Sequence, residues 1–177
     1  MKRLVIDASV ACGAGSGATP KPPSKASREF LMEVRDSGHF LILTDSISAE
    51  WKDHAAKFAR TWRTSMFAKK RVEKIDIPAF PGLQKRIRNA LANDGEREAA
   101  DKDHHLLLAA LHSDQTIASL DDTVRRLFAR VCPAAAEVCN VVWVNPDKED
   151  ETPLDWLRDD APADHARKLA QFPHAQA

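Results

Sequence analysis

Short apolar runs that end on an aspartate are the feature that most restricts how this chain can fold. Residues 4–6 are Leu-Val-Ile and are followed at once by Asp7, and the β-type run at residues 116–120 is followed by Asp121. A continuous apolar run is typical of a parallel strand that is covered on both faces. Open α/β sheets build their sites at the carboxyl ends of such strands. Asp7 and Asp121 are therefore the first candidates for a functional site.

Segments of helical character separate these runs along the chain. Two more strands are predicted at residues 39–43 and 138–144. One long helix is predicted from the apolar stripe of Ile47, Trp51, Phe58, Trp62 and Met66. Further helices are predicted at residues 82–93, around the leucine-rich block 106–111 with Asp103 at its start, and at residues 123–131. The alternation predicts an α/β fold, a three-layer α/β/α sandwich with a central, mainly parallel sheet.

Composition and length indicate a cytoplasmic globular protein of one domain. The chain has 177 residues with 44% hydrophobic and 29% charged residues. Its longest apolar runs are far shorter than the roughly 20 residues of a membrane helix, so no membrane association is expected. The opening MKRLVID is too polar for a secretory signal peptide. Cys12, Cys132 and Cys139 have no zinc-site spacing and are read as buried, reduced side chains.

Charge is unevenly distributed although the net charge is zero. Residues 51–100 carry twelve Lys and Arg against six Asp and Glu, whereas residues 101–177 carry eight against fourteen. Such segregation can place a basic face beside an acidic site.

The Gly- and Pro-rich residues 12–24 are expected to form a flexible loop near the site. The prolines prevent a helix from opening directly after the glycines, so the segment does not fit a nucleotide-binding loop.

Four acids are predicted to converge at one edge of the sheet: Asp7, Glu50, Asp103 and Asp121. Each is predicted at the end of a strand or in the first turn of a helix, and right-handed crossovers bring these ends together. Four carboxylates in one cleft require cations or raised pKa values, and oxygen ligands suit Mg²⁺ or Mn²⁺. Asp103 is preferred to Asp101 because the residues four and seven positions later are apolar. Each acid could instead serve only as a helix cap or helix-dipole partner.

The ordered set of motifs resembles a PIN domain. It consists of DASV at residues 7–10 after a strand, Glu50 early in a helix, DHHLLLAAL from Asp103, and ASLD at residues 118–121 followed by Val124-Arg125. VVWVNP at residues 141–146 is similar to the last strand in one branch of that family. The resemblance implies a PIN-like nuclease domain over residues 1–146. An acidic, partly helical C-terminal extension would follow at residues 147–177.

The resemblance also implies a function and a site. The chain would be a metal-dependent endoribonuclease in which Asp7, Glu50, Asp103 and Asp121 hold Mg²⁺ or Mn²⁺. Ser9 and Ser119 would orient these ligands, and Asp122 is a weaker candidate for a further acid. Many bacterial relatives are toxins of toxin–antitoxin pairs, so an antitoxin protein and a homodimer are among the expected partners.

Basic residues of the middle third are predicted to bind RNA phosphates beside the acidic cleft. They are Lys57, Arg60, Arg63, Lys69, Lys70, Arg71, Lys85, Arg86 and Arg88. Two alternatives stay open. The chain could be a non-catalytic PIN-like module that binds RNA or a protein. A haloacid-dehalogenase type of phosphohydrolase ranks lower, because that chemistry needs a second Asp where Ser9 stands.

Overall fold

A computed structural model describes residues 1–15, 25–78 and 80–172. The predicted α/β class is confirmed: five parallel strands form one sheet in the order β3-β2-β1-β4-β5, consistent with a three-layer sandwich. The strands are β1 (Arg3–Ile6), β2 (Phe40–Leu43), β3 (Val72–Lys74), β4 (Thr116–Ala118) and β5 (Val142–Val144). Most of the expected loop at residues 12–24 lies outside the described residues.

Eight α-helices connect and cover the strands within the described residues. They are α1 (Ala8–Gly13), α2 (Lys25–Asp36), α3 (Asp45–His54), α4 (Lys57–Ala68), α5 (Leu83–Ala90), α6 (Asp94–Leu111), α7 (Asp122–Val131) and α8 (Pro153–Arg158). None of these helices is long and apolar enough to cross a membrane.

Strand β1 lies at the centre of the sheet and is buried on both faces. Leu4, Val5 and Ile6 are fully buried, as a continuous apolar run predicts. β1 pairs with β2 on one side and with β4 on the other. The chain passes from β1 to β2 and β3 on one side, and then returns to the other side of β1 to form β4 and β5. The crevice beyond the carboxyl ends of β1 and β4 is therefore the topological switch point of the sheet.

The predicted long helix from Ile47 to Met66 is wrong, since two helices occupy this stretch. The backbone of Ala55 is extended, and the amide of Ala56 donates to the carbonyl of Ala11 at 3.1 Å. Both helices bury the same apolar stripe, so the periodicity continues across the break and conceals it. Trp51 of α3 and Trp62 of α4 pack with ring centroids 6.0 Å apart.

Strand β3 and the start of α6 were also missed. β3 has the sequence Val-Glu-Lys and lies at the sheet edge, where polar residues are common. The Asn93-Asp94-Gly95 sequence was read as a helix end, whereas Asn93 is the N-cap of α6 and its side chain accepts from the amide of Glu96 at 3.0 Å. Glu96 in turn accepts from the amide of Ala92, the residue before the N-cap.

Residues beyond 146 pack onto the same core. Trp156 and Leu157 of α8 and Leu169 are buried, and Lys168 forms an isolated antiparallel bridge with Val142. The imidazole of buried His39 accepts from the amide of Lys2, so its Nε2 donates to the carbonyl of Leu157 at 2.9 Å. The described part of the extension predicted at residues 147–177, as far as residue 172, is therefore built into the domain.

Truncation of Leu169 tests that packing. We expect Leu169→Ala to lower the free energy of unfolding by roughly 2–5 kcal/mol, because a buried leucine side chain would be replaced by a cavity. Urea unfolding followed by circular dichroism measures the loss. Gln171→Ala, two residues on and exposed, is the matched control and should change stability little. A Leu169→Ala variant as stable as wild type would mean that the extension contributes little to the core.

Candidate functional site

A cleft of about 680 Å³ opens at the carboxyl ends of β1 and β4, at the switch point of the sheet. It collects side chains from α1, α3, α6 and α7 around these strand ends. The predicted acids and hydroxyls that line it are Asp7, Ser9, Glu50, Asp103, Asp121 and Asp122. The four carboxylates predicted from separate parts of the sequence therefore face one cavity.

Asp7 is the most fully oriented of these acids. It follows β1 directly, and its side chain is almost entirely buried. Its Oδ2 accepts hydrogen bonds from the hydroxyls of Ser9 at 2.5 Å and of Ser119 at 2.7 Å. Two hydroxyl donors on one oxygen hold the carboxylate in a single orientation.

The two serines are themselves held by the loop after β4. The amide of Leu120 donates to the Ser9 hydroxyl oxygen at 3.1 Å, and the amide of Asp121 donates to that of Ser119 at 3.0 Å. Each oxygen thus accepts from the backbone, which turns its hydrogen toward Asp7. Both serines thus contact Asp7, a predicted metal ligand, and are in position to orient it.

Asp121 is at once the N-cap of α7 and a wall of the cleft. Its Oδ1 accepts from the amides of Thr123 and Val124, both at 2.9 Å. The described residues give its Oδ2 no hydrogen bond. The capping role considered from the sequence therefore occupies one oxygen and leaves the other for the cleft.

Asp103 lies within α6, about two and a half turns after the helix begins, and not at a helix start as predicted. Burial raises its pKa to about 6, and the nearby charges of Asp7 and Asp121 act in the same direction. These carboxylates are therefore close enough to repel one another through a poorly solvated space.

Asp101, the rival for this position, points elsewhere. It binds the side chains of Arg88 and of Gln84 on α5, the latter at 3.0 Å, and it does not line the cleft. The structure thus brings Asp103 to the other acids and keeps Asp101 on the outer face.

Glu50 enters the cleft from the second turn of α3, one turn later than predicted. The next residue, Trp51, donates its indole N–H to the carbonyl of Ile6 at 2.9 Å, which fixes α3 beside the end of β1. Glu50 Oε2 lies 3.2 Å from Nε2 of His105, whose Nδ1 faces the carbonyl of Lys102 at 3.0 Å. This contact links α3 to α6 across the cleft.

Asp122 is turned toward cations on its outer side. Its carboxylate lies 2.7 Å from Nζ of Lys148 and 3.7 Å from the guanidinium of buried Arg125. It lines the cleft at the rim, but its charge is already balanced there.

The oxygen donors of the cleft match the chemistry of Mg²⁺ or Mn²⁺, which prefer carboxylates. The raised pKa of Asp103, caused first by burial and then by the charges of Asp7 and Asp121, is the structural observation in favour of a cation, because a bound positive charge would offset both effects. Within the described residues, however, no three His, Cys, Asp or Glu side chains are arranged so that they could hold one ion. The residue types are those that bind such an ion, whereas the side chains would have to move closer together to coordinate it.

None of the nine basic residues predicted to bind RNA lines the cleft. The basic run directly before β3 lies at the amino ends of the strands, opposite to the cleft, because all strands run parallel. It consists of Lys69, Lys70 and Arg71. Arg86 pairs with Glu137 and Arg88 with Asp101. The others lie on helix surfaces outside the cleft, namely Lys57, Arg60, Arg63 and Lys85.

Four cleft residues were missed by sequence reasoning. Cys12, His54, Lys102 and Thr123 line the same cavity. Lys102 and Thr123 stand one and two residues from predicted acids, so proximity in sequence was a usable signal for them. Cys12 and His54 carried no such signal, since only the packing of α1 against α3 brings them to the cleft.

Comparisons of the whole chain with protein-family models, with curated proteins and with solved structures gave no match. Function is therefore inferred from the geometry of the cleft and from the sequence motifs.

Replacing Asp103 tests the repulsion within the cleft. Its folded-state pKa of about 6 exceeds its ordinary value of 3.8, so its contribution to stability is lost as the pH rises through this interval. With a metal chelator present, we expect Asp103→Asn to be more stable than wild type well above pH 6, by roughly 1–2 kcal/mol after allowance for solvent screening. Close to pH 3.8 the two should be alike.

Urea unfolding at the two pH values measures this difference. Asp101→Asn is the matched control, because Asp101 has a cationic partner and should gain no stability on losing its charge. Equal stability of Asp103→Asn and wild type at both pH values would contradict the proposed repulsion.

Proposed function

We propose that the chain is a metal-dependent endoribonuclease of PIN type that cleaves RNA phosphodiester bonds. One observation carries the proposal: Asp7, Asp103 and Asp121 come from three separate elements and line one cleft, where burial and then the charges of Asp7 and Asp121 raise the pKa of Asp103 to about 6. A fold gains nothing in stability from such an arrangement, whereas a bound divalent cation would offset its cost. The resemblance of the sequence motifs to PIN domains supports the same conclusion.

Asp7, Glu50, Asp103 and Asp121 are the residues that would hold Mg²⁺ or Mn²⁺. When bound, the ion supplies a water of lowered pKa and offsets negative charge on the phosphate. The chain contributes orientation. Ser9 and Ser119 hold Asp7, and backbone amides of α7 hold one oxygen of Asp121. Asp7 and Asp121 are thus oriented before substrate arrives, which reduces the cost of assembling the site.

The proposal extends to the setting of the protein. A cytoplasmic location, an RNA substrate, an antitoxin partner and a homodimer remain predictions. The gene immediately upstream is an inexpensive indicator, because a small DNA-binding protein encoded there would favour the toxin role.

Cleavage of labelled single-stranded RNA with Mn²⁺ or Mg²⁺ tests the activity. We expect Asp7→Asn and Asp121→Asn to reduce the rate by more than about 100-fold, since even the outer partners of metal ligands are worth about 10–100-fold. Circular dichroism should show that both variants stay folded. Asp101→Asn removes a carboxylate from the outer face of α6 and should cleave like wild type. Cleavage by both test variants at the wild-type rate would end the proposal.

A second candidate is a non-catalytic PIN-like module that binds RNA or a protein partner. It is favoured by the side-chain positions, which group no three possible ligands within the described residues, and by the contact that holds Glu50 against His105. Titration calorimetry with Mn²⁺ separates the two candidates. Heat of binding that disappears in Asp7→Asn supports the nuclease, whereas the absence of binding at millimolar Mn²⁺ supports the module.

A further inference from the structure

A groove between α6 and α7 continues from the cleft. Thr123 lines both spaces, and the groove has a volume of about 460 Å³. Asn93 and Ala99 line it on one side, and Arg126 and Leu127 on the other. A ligand in the cleft can therefore extend into the groove past Thr123.

An ion pair fixes the far end of the groove. Arg130 of α7 donates to both carboxylate oxygens of Glu96 on α6, at 2.8 and 2.9 Å, so the two charges are balanced. Along α6, Lys102 lies six residues, about 9 Å, after Glu96. Along α7, Arg130 lies seven residues, about 10.5 Å, after Thr123. The two helices therefore run side by side in opposite directions, and the groove between them has a defined length.

Arg126 is the cation of this groove that the fold does not use. Its neighbours on α7 are engaged, since Arg125 binds Glu151 and Arg130 binds Glu96. Among the described residues Arg126 has no ion pair, and its Nη2 bonds only to the hydroxyl of Thr123, at 3.3 Å. Lys102, on the cleft side, is exposed and likewise has no ion pair within the described part of the chain. Two uncommitted positive charges thus flank the passage from cleft to groove.

We propose that one strand of RNA passes from the cleft into the α6–α7 groove, with Lys102 and Arg126 each binding a backbone phosphate. This inference rests on the proposed function, because it places the strand beside the bond that would be cleaved. The groove is narrow enough that a single strand fits it better than a duplex. Among the described residues that line it there is no aromatic side chain, so we expect phosphate contacts and no stacking of bases.

Binding of fluorescent single-stranded RNA, followed by anisotropy in a metal chelator at several salt concentrations, tests the path without any cleavage. Each lost phosphate contact lowers the slope of log K against log salt by about 0.7. We therefore expect a decrease of about 0.7 for Arg126→Gln or Lys102→Gln, and of about 1.4 for the double variant. Lys25→Gln, an exposed cation on α2 that lines neither the cleft nor the groove, is the matched control and should bind like wild type.

Unfolding midpoints should be unchanged in all three variants, because neither Lys102 nor Arg126 forms an ion pair in the described structure. The proposal is overturned if the double variant keeps the wild-type affinity and slope, if Lys25→Gln weakens binding equally, if duplex RNA binds as tightly, or if wild type binds no RNA. RNA that is bound through Arg126 but never cleaved would refute the nuclease and leave the groove intact. Normal cleavage, together with RNA binding that is unchanged in Arg126→Gln, would refute the path through the groove and leave the nuclease proposal intact.

Discussion

The parallel pairing of β1 with β4 is the contact on which the candidate site depends. Its register sets Ile6 opposite Ala118, and the amide of Asp7 continues the ladder by donating to the carbonyl of Ala118 at 2.9 Å. The residues that follow the two strands therefore lie side by side, and the hydroxyl of Ser119 donates to the carboxylate of Asp7. A slip of one residue would turn that carboxylate to the opposite face of the sheet.

The acids of the cleft are stabilised unequally. Asp7 accepts from two hydroxyls and Asp121 from two backbone amides, so both have donors that compensate their charge. Asp103 is half-buried and adds a third negative charge beside them, which raises its pKa. The electrostatic cost of the arrangement is therefore concentrated on one helix residue, while the surrounding apolar core stabilises the elements that impose it. Such a local conflict within a consistent fold is expected at a functional site.

Topology also decides which cations can serve the cleft. In a parallel sheet, a basic segment that precedes a strand lies at the edge opposite to the one where the strand ends, so the dense basic cluster before β3 is carried away from the acids. Arg86 and Arg88 form ion pairs with acids outside the cleft. The cations that lie beside the cleft and its adjoining groove, Lys102 and Arg126, belong to the acidic part of the sequence. Regional net charge therefore did not indicate which cations lie beside the cleft.

The sequence by itself determined the fold class, four of the five strands and three of the acids that share the cleft, Asp7, Glu50 and Asp121. For the fourth it favoured Asp103 over Asp101 from the apolar residues that follow in the helix. Continuous apolar runs and strand-terminal aspartates are local signals, so residues such as Ile6 and Asp7 could be interpreted without neighbours. Only the tertiary structure decided that the stripe from Ile47 to Met66 is broken at Ala55, that Asp103 and not Asp101 faces the cleft, and that the residues after 146 join the core. The reason is that each of these outcomes depends on a distant partner: Ala11 for the break, Arg88 for Asp101, and His39 for the C-terminal segment. Periodicity along a chain indicates which face of a helix or strand is buried, but not which residues pack against that face.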